Sequence, residues 1–321
     1  SPVTARVVPF EALAMPVARS SEGDVPEHEQ DLAVIIAATR AAAEATGWTR
    51  PAVPWPRELP EQVSTSALAR AAQPGQTPLG LADVPDEQRR ELVAVTDRDQ
   101  QFALVGGPTA PLPEVLLTYG AALAASSSAD DVHLYGIDLV GRSLGLLDDL
   151  PHCGGVAVRN EQLALRMIRW LAQVAAERKV LMAETGSASI WEHAARTGDL
   201  PPQLVLLVSG VDRILQNDVT SNLTGPLGSL LSEAIGVRIQ IVLAGLPRTV
   251  THRLGSNIDR RFVFQLADPS DYPGVGVPRH LTSGLRVPRR AADTSSERLV
   301  QFAQLSAPGG SDAEVIRSLA A

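Results

Sequence analysis

The residues best placed for chemistry in this 321-residue chain form a glycine turn, Val105-Gly106-Gly107-Pro108-Thr109-Ala110-Pro111-Leu112-Pro113-Glu114, between an apolar run at 102–105 and a helical pattern at 115–125. Strand, glycine turn and helix is the frame in which a chain cradles phosphate. Main-chain N–H groups point at the anion, a lysine neutralises its outer charges, and a Ser or Thr hydroxyl holds magnesium. Counting the Gly-x-x-x-x-Gly-Lys-Ser/Thr spacing from Gly106 puts Pro111, Leu112 and Pro113 in the last three places, and the chain's one lysine, Lys179, lies elsewhere. Pro108, Pro111 and Pro113 have no N–H to donate. Glu114 falls in the first turn of the following helix, where its carboxylate suits the positive helix end and repels a phosphate. Losing several charge-assisted hydrogen bonds, at about 1.5–3 kcal/mol each, weakens nucleotide binding by roughly a thousandfold or more. The expectation is a degenerate pocket made of Gly106, Gly107, Pro108, Thr109, Pro111, Leu112 and Pro113, with no catalytic residue and no bound cofactor.

A second lesion falls on the strand that should carry a magnesium-side aspartate at its tip. Leu204-Val-Leu-Leu-Val208 runs instead into Ser209-Gly210-Val211-Asp212. Asp212 comes three residues late, where capping of the next helix is its commoner role. One other pattern competes. Gly141-Arg-Ser143-Leu-Gly145 satisfies the nucleophile-elbow spacing after a strand, and Asp212 or Asp259 followed by His252 or His280 gives a hydrolase chain order. Against it, Leu150-Pro151 follows Gly145 within a few residues and leaves too little helix to set the elbow. A serine hydrolase using Ser143 and a weak residual ATPase are therefore the alternatives. His152 stands without a second His or a Cys pair at metal spacing, and Cys153, the one cysteine, reads as a small buried residue.

A formal charge of −8 argues against tracking a nucleic-acid backbone, which requires a clustered positive stripe. The arginine pairs Arg89-Arg90, Arg260-Arg261 and Arg289-Arg290 read as solvated faces. No apolar stretch reaches the ~20 residues of a membrane span. No signal peptide is visible, and the first residue is Ser1 rather than methionine, so the chain reads as a piece of a longer protein.

Around these residues the elements alternate. Residues 1–78 read as a Pro- and Ala-rich arm with one helix at 30–46, draped over the core and anchored by Trp48 and Trp55; residues 79–321 read as the body. Short apolar runs at 92–96, 102–105, 132–138, 204–208, 238–243 and 262–266 predict strands. Amphipathic stretches at 115–125, 162–184, 190–197, 223–234 and 312–320 predict helices, and 299–305 an added edge strand. That order is the signature of an α/β protein with a mainly parallel sheet flanked by helices.

Three segments besides the altered turn carry a resemblance to a known family. They are Asp131-Val-His-Leu-Tyr-Gly-Ile-Asp138 continuing to Leu150-Pro151-His152, then Ile241-Val-Leu-Ala-Gly-Leu-Pro-Arg248, then Asn257-Ile-Asp-Arg-Arg261 continuing to Asp268-Pro-Ser-Asp271. The chain resembles an FtsK/SpoIIIE-type ATPase domain, in particular the tandem ATPase domains of the EccC protein of type VII secretion systems. The resemblance implies a RecA-like P-loop NTPase fold behind an N-terminal helical and Pro-rich arm, with Mg-ATP as the family ligand. Departures at Leu112, Pro113, Ser209, Gly245 and Leu246 all fall on nucleotide-handling positions, which implies a catalytically silent, regulatory or docking module of the secretion motor. Arg261 matches a family arginine that can lie near a subunit boundary, and Arg248 sits close to the sensor turn; either reaches a neighbouring domain's nucleotide or is a surface arginine paired with Asp259 or Asp268. Implied partners are neighbouring ATPase domains of the same or sister chains and Esx-type secreted substrates, with no nucleic acid. The implied location is the cytoplasm, tethered to the inner membrane through the rest of a larger protein.

Overall fold

Alternation along the central strands sets the architecture. In the computed structural model, which describes residues 27–48, 58–99, 101–216, 222–255, 258–305 and 310–320, side chains of successive strand residues enter two different cores. The chain divides into two units, Ser1–Pro54 and Trp55–Ala321. The first contributes helix α1 (Glu27–Ala45), whose alanine-rich sequence favours helix and on which Leu32, Val34, Ile35 and Ile36 are exposed. Trp48 is also exposed, and Trp55 lies outside the described residues.

The second unit holds the sheet. Its strands are β1 (Thr77–Val84), β2 (Arg89–Val95), β3 (Gln101–Val105), β4 (Val132–Asp138), β5 (Cys153–Val158), β6 (Gln203–Ser209), β7 (Ile239–Gly245), β8 (Arg261–Val263), β9 (Arg290–Asp293) and β10 (Arg298–Phe302). They lie in the order β2-β1-β10-β9-β8-β3-β7-β6-β4-β5. From β8 to β5 all neighbours are parallel; β9, β10, β1 and β2 extend the sheet with antiparallel pairs. Helices α2 (Thr65–Ala69), α3 (Leu112–Ser126), α4 (Glu161–Glu184), α5 (Ile190–Thr197), α6 (Val211–Gln216), α7 (Thr224–Glu233), α8 (Arg248–Thr251) and α9 (Asp312–Ala320) complete the unit.

On β3, Phe102 and Leu104 join Val115, Leu116 and Tyr119 of α3 and Ile316 of α9, while Ala103 and Val105 join Ala164, Ile168 and Leu171 of α4 and Leu227 and Leu230 of α7. The same period of two separates Val205 and Leu207 from Leu204, Leu206 and Val208 on β6. Both faces are thus covered, which is why these strands read as continuous apolar runs. Each fully buried Leu, Ile or Phe contributes about 1.5–3 kcal/mol. No described helix is long and apolar enough to cross a membrane.

Two expectations change. The run at 299–305 corresponds to β10, which is interior, paired to β1 on one side and β9 on the other. The Arg289-Arg290 pair is not a solvated face. Arg290 is buried, with Nε donating to the Gln301 Oε1 at 2.9 Å and Nη2 to the Leu59 carbonyl at 2.9 Å. Arg289 donates to the Ala303 carbonyl and, at 2.9 Å, to the Thr118 hydroxyl. Burial lowers the pKa of both guanidinium groups. Their work is to satisfy carbonyls of irregular chain: Arg290 and Gln301 together hold residues 59–61 against the sheet.

Candidate functional site

The glycine turn sits at the carboxyl end of β3, between β7 and β8, where open parallel sheets hold ligands. Its main-chain donors are turned inward. Gly106 N–H donates to the Gly245 carbonyl at the tip of β7 (3.2 Å), and Gly107 N–H donates to the Gln265 carbonyl beyond β8 (2.8 Å). Ala110 N–H donates to the Gly107 carbonyl at 3.0 Å, and Leu112 N–H to the Ala110 carbonyl at 2.8 Å. The last bond, with Pro111 at φ −80 and ψ 50, makes an inverse γ-turn. Since Pro108, Pro111 and Pro113 carry no N–H, Thr109 has the one main-chain donor of residues 106–113 left for a ligand.

Side chains close what the backbone leaves. Leu112 is buried in the core cluster over α3, with its Cδ2 3.3 Å from where a side chain on Gly106 would begin. A Cβ on Gly107 would lie 2.9 Å from the Ala267 nitrogen, so that residue is glycine because the 265–267 backbone passes against it. Helix α3 starts without a side-chain cap and carries Glu114 in its first turn. A magnesium–nucleotide site requires a lysine and a hydroxyl where Leu112 and Pro113 stand, and a row of free N–H groups where Thr109 alone has one, so the residues of this turn do not fit that ligand.

The other expected positions arrange themselves around it. Ser209 is buried at the end of β6. Asp212 stands in the first turn of α6, with its Oδ1 3.0 Å and the Thr249 hydroxyl 2.5 Å from the place a Gly245 Cβ would occupy. Gly245 is therefore small because Asp212 and Thr249 pack over the tip of β7. The buried Thr249 hydroxyl has no hydrogen-bond partner. Arg248 opens α8 just beyond β7 and is exposed at the same end of the sheet as the turn. Arg261 begins β8, level with Ala103, and its Nε donates to the Ile258 carbonyl at 2.7 Å. The two arginines thus belong to opposite ends of their strands.

Ser143 opens a 3-10 segment, Ser143–Asp149, rather than an α-helix, and no hydrogen bond joins it to a histidine among the described residues. The preceding turn is organised by Asp138. Fully buried, its carboxylate accepts from the N–H groups of Gly141 (2.8 Å), Val140 (3.3 Å) and Leu144 (3.3 Å). His152 is buried, with Nε2 on the Ser127 carbonyl at 3.0 Å and Nδ1 unpartnered. Cys153 is half-buried and burial pushes its thiol up to about 12. Among the described residues no cluster of His, Cys, Asp or Glu could hold a metal ion.

Sequence reasoning missed a second feature at this edge, a cavity of about 350 Å³ lined by Leu139, Val140, Arg159, Glu161 and Arg213. Nothing in the sequence marks it, because Arg159 and Arg213 are 54 positions apart and come together only through the β4-β6 pairing.

A mainly parallel sheet with a glycine turn between its central strand and a covering helix is an α/β fold of the nucleotide-binding type. The profile of the FtsK/SpoIIIE family matches residues 115–286, more than half of the chain, and the chain belongs to that family. It is 28% identical over 233 residues to the ESX-4 secretion system protein EccC4 of Mycobacterium tuberculosis, covering 68% of this chain and 18% of that protein. To the type VII secretion system protein EssC of Staphylococcus aureus it is 23% identical over 234 residues, covering 69% of this chain and 16% of that protein. The chain therefore spans less than a fifth of these curated relatives. Its fold is similar to that of EssC ATPases 2 and 3 from Geobacillus thermodenitrificans (TM-score 0.67, 16% identity, 84% of this chain and 52% of that one). It is also similar to Thermomonospora curvata EccC ATPases 2 and 3 solved with a signal sequence peptide (TM-score 0.63, 22% identity, 77% and 46%).

Proposed function

We propose that this chain is a catalytically silent ATPase-fold module of a type VII secretion motor, and that the carboxyl-end face of its sheet docks a neighbouring ATPase domain or a secreted substrate. Its place would be the cytoplasmic side of the membrane, carried by the rest of a larger protein. One observation carries the reading: the turn that would cradle phosphate donates its N–H groups to Gly245, Gln265, Gly107 and Ala110 instead. Mg-ATP, the family ligand, then lacks the row of main-chain donors and the cation that would hold it.

Kinship with EccC and EssC supports the secretion setting, and the peptide seen on ATPases 2 and 3 of the Thermomonospora protein supports a face that receives protein segments. The net charge of −8 favours a protein partner over nucleic acid. Nothing specific favours the Ser143 hydrolase, whose base is not assembled. A photocrosslinking amino acid in place of Thr109, exposed at the lip of the turn, tests the docking reading in the full-length protein. Crosslinks to an adjoining ATPase domain or to a secreted substrate are expected. Phosphate release from Mg-ATP by this chain above background, with no crosslink formed, would contradict it.

A further inference from the structure

The cavity beside β4 and β6 presents an arrangement opposite to that of the glycine turn. Arg159 follows β5 with φ at +49, a left-handed conformation that residues with a Cβ rarely adopt. Both ends of the residue are held in that pose. Its N–H donates to the Asp138 carbonyl at 2.8 Å, and its Nη2 donates to the Val140 carbonyl at 2.8 Å. A guanidinium carries five donors, so beyond the bond to Val140 this cavity-lining side chain keeps donors to offer a ligand. Arg213, on α6, is exposed across the cavity. Neither arginine pairs with a carboxylate among the described residues.

The turns that carry them pack closely. The turn after β6 passes so near the turn after β4 that a Cβ on Gly210, itself at φ +77, would lie 2.2 Å from the Val140 Cγ2. Val140 is 41% exposed and gives the cavity an apolar wall. The amino end of α4 adds positive potential from Glu161 and Gln162 N–H groups that no earlier carbonyl of the helix can use. In a chain of net charge −8, this cleft sets two guanidinium groups, one of them anchored, against a single rim carboxylate.

We infer that this cleft is a docking site for an acidic segment of a protein partner, one carboxylate bridging Arg159 and Arg213 while an adjoining apolar side chain covers Val140. Glu161 on the rim opposes a dianionic phosphate more strongly than a single carboxylate, which favours the acidic peptide. The inference names a second site, three strand positions along the edge from β3 or roughly 14 Å. It shares with the docking reading a protein partner and the carboxyl-end face of the sheet, and differs in the residues that make the contact. Nucleotide binding at the β3 turn would sink that reading and leave this one standing.

Fluorescence anisotropy with a labelled peptide of alternating glutamate and leucine, and with its glutamine counterpart, tests the inference on the whole chain. Binding of the acidic peptide is expected, at least about tenfold tighter than the neutral one and weakened about tenfold or more by Arg159→Gln with Arg213→Gln. Arg213→Glu alone should weaken it as much, and its exposed, unbonded side chain keeps that variant folded if the Arg159 substitution unfolds the turn. Equal binding of the two peptides, no binding of either, or affinity untouched by Arg213→Glu overturns the inference. Inorganic pyrophosphate binding more tightly than the acidic peptide would assign the arginines to a phosphate ligand and overturn it too.

Discussion

Two turns at the same edge of the sheet use glycine and polar hydrogen bonding to opposite ends. After β3, the turn donates its N–H groups into its own fold, to Gly245 and Gln265, and exposes Pro108. After β4, a buried aspartate gathers the N–H groups of Val140, Gly141 and Leu144, and the arginines beyond are left facing solvent. The first is a ligand-cradle shape with most of its donors withdrawn; the second is a structural turn whose carbonyls anchor Arg159 beside a cleft. A glycine-rich strand-to-helix turn therefore says little about binding until the destination of each N–H is known.

The difference can be broken at either side. Asp138→Ala removes one carboxylate from three N–H groups in a fully buried place, and the variant should lose about 2–4 kcal/mol in a denaturant titration. Asp138→Asn, which keeps an acceptor oxygen, should lose distinctly less; equal losses would mean the aspartate acts through packing alone. On the other side, Gly107→Val forces a side chain onto the Ala267 nitrogen and the Gln265 carbonyl, and should cost about 1–3 kcal/mol by the same titration. An unchanged stability there would show that the turn is not sewn to the segment after β8.

A smaller effect concerns Cys153, next to the Leu-Pro-His segment. Burial raises its thiol from 9.0 to about 12. Above pH 9 the unfolded chain releases this proton while the folded chain keeps it, so the thiol's contribution to stability is whole below 9 and is lost as pH rises through about 12. Alkylation of the native protein should accordingly stay slow at pH 8 and speed up only when the fold opens. Fast labelling at pH 8 would contradict the burial. Smallest of all is the exposed Glu192–Arg196 pair on α5. Glu192→Gln should leave the melting temperature unchanged, because solvent screens such a pair.

Most of the parallel half of the sheet was legible, because β3, β6 and β7 are buried on both faces and so spell apolar runs, and β4 is largely apolar. The strands that escaped were those whose residues answer to a neighbour. β1 contains Pro78 and Gly80, and Gly80 is required because a Cβ would lie 2.3 Å from the Gln301 carbonyl oxygen. β5 opens with Cys153-Gly154-Gly155, where the ring of Tyr135 covers Gly154. β9 begins with a buried arginine. At the site, the loss of lysine and hydroxyl was readable from Leu112 and Pro113. The engagement of the remaining donors was not, since their acceptors, Gly245 and Gln265, lie far along the chain and meet the turn only once the sheet has formed. The two-arginine cleft was hidden for the same reason.

Calorimetric titration of the chain with Mg-ATP tests the central claim most directly. With the N–H groups of Gly106, Gly107, Ala110 and Leu112 committed inside the fold, heat of binding should be absent below about millimolar nucleotide. Saturable binding at micromolar Mg-ATP, abolished by Gly107→Val, would show that the turn after β3 holds a triphosphate after all.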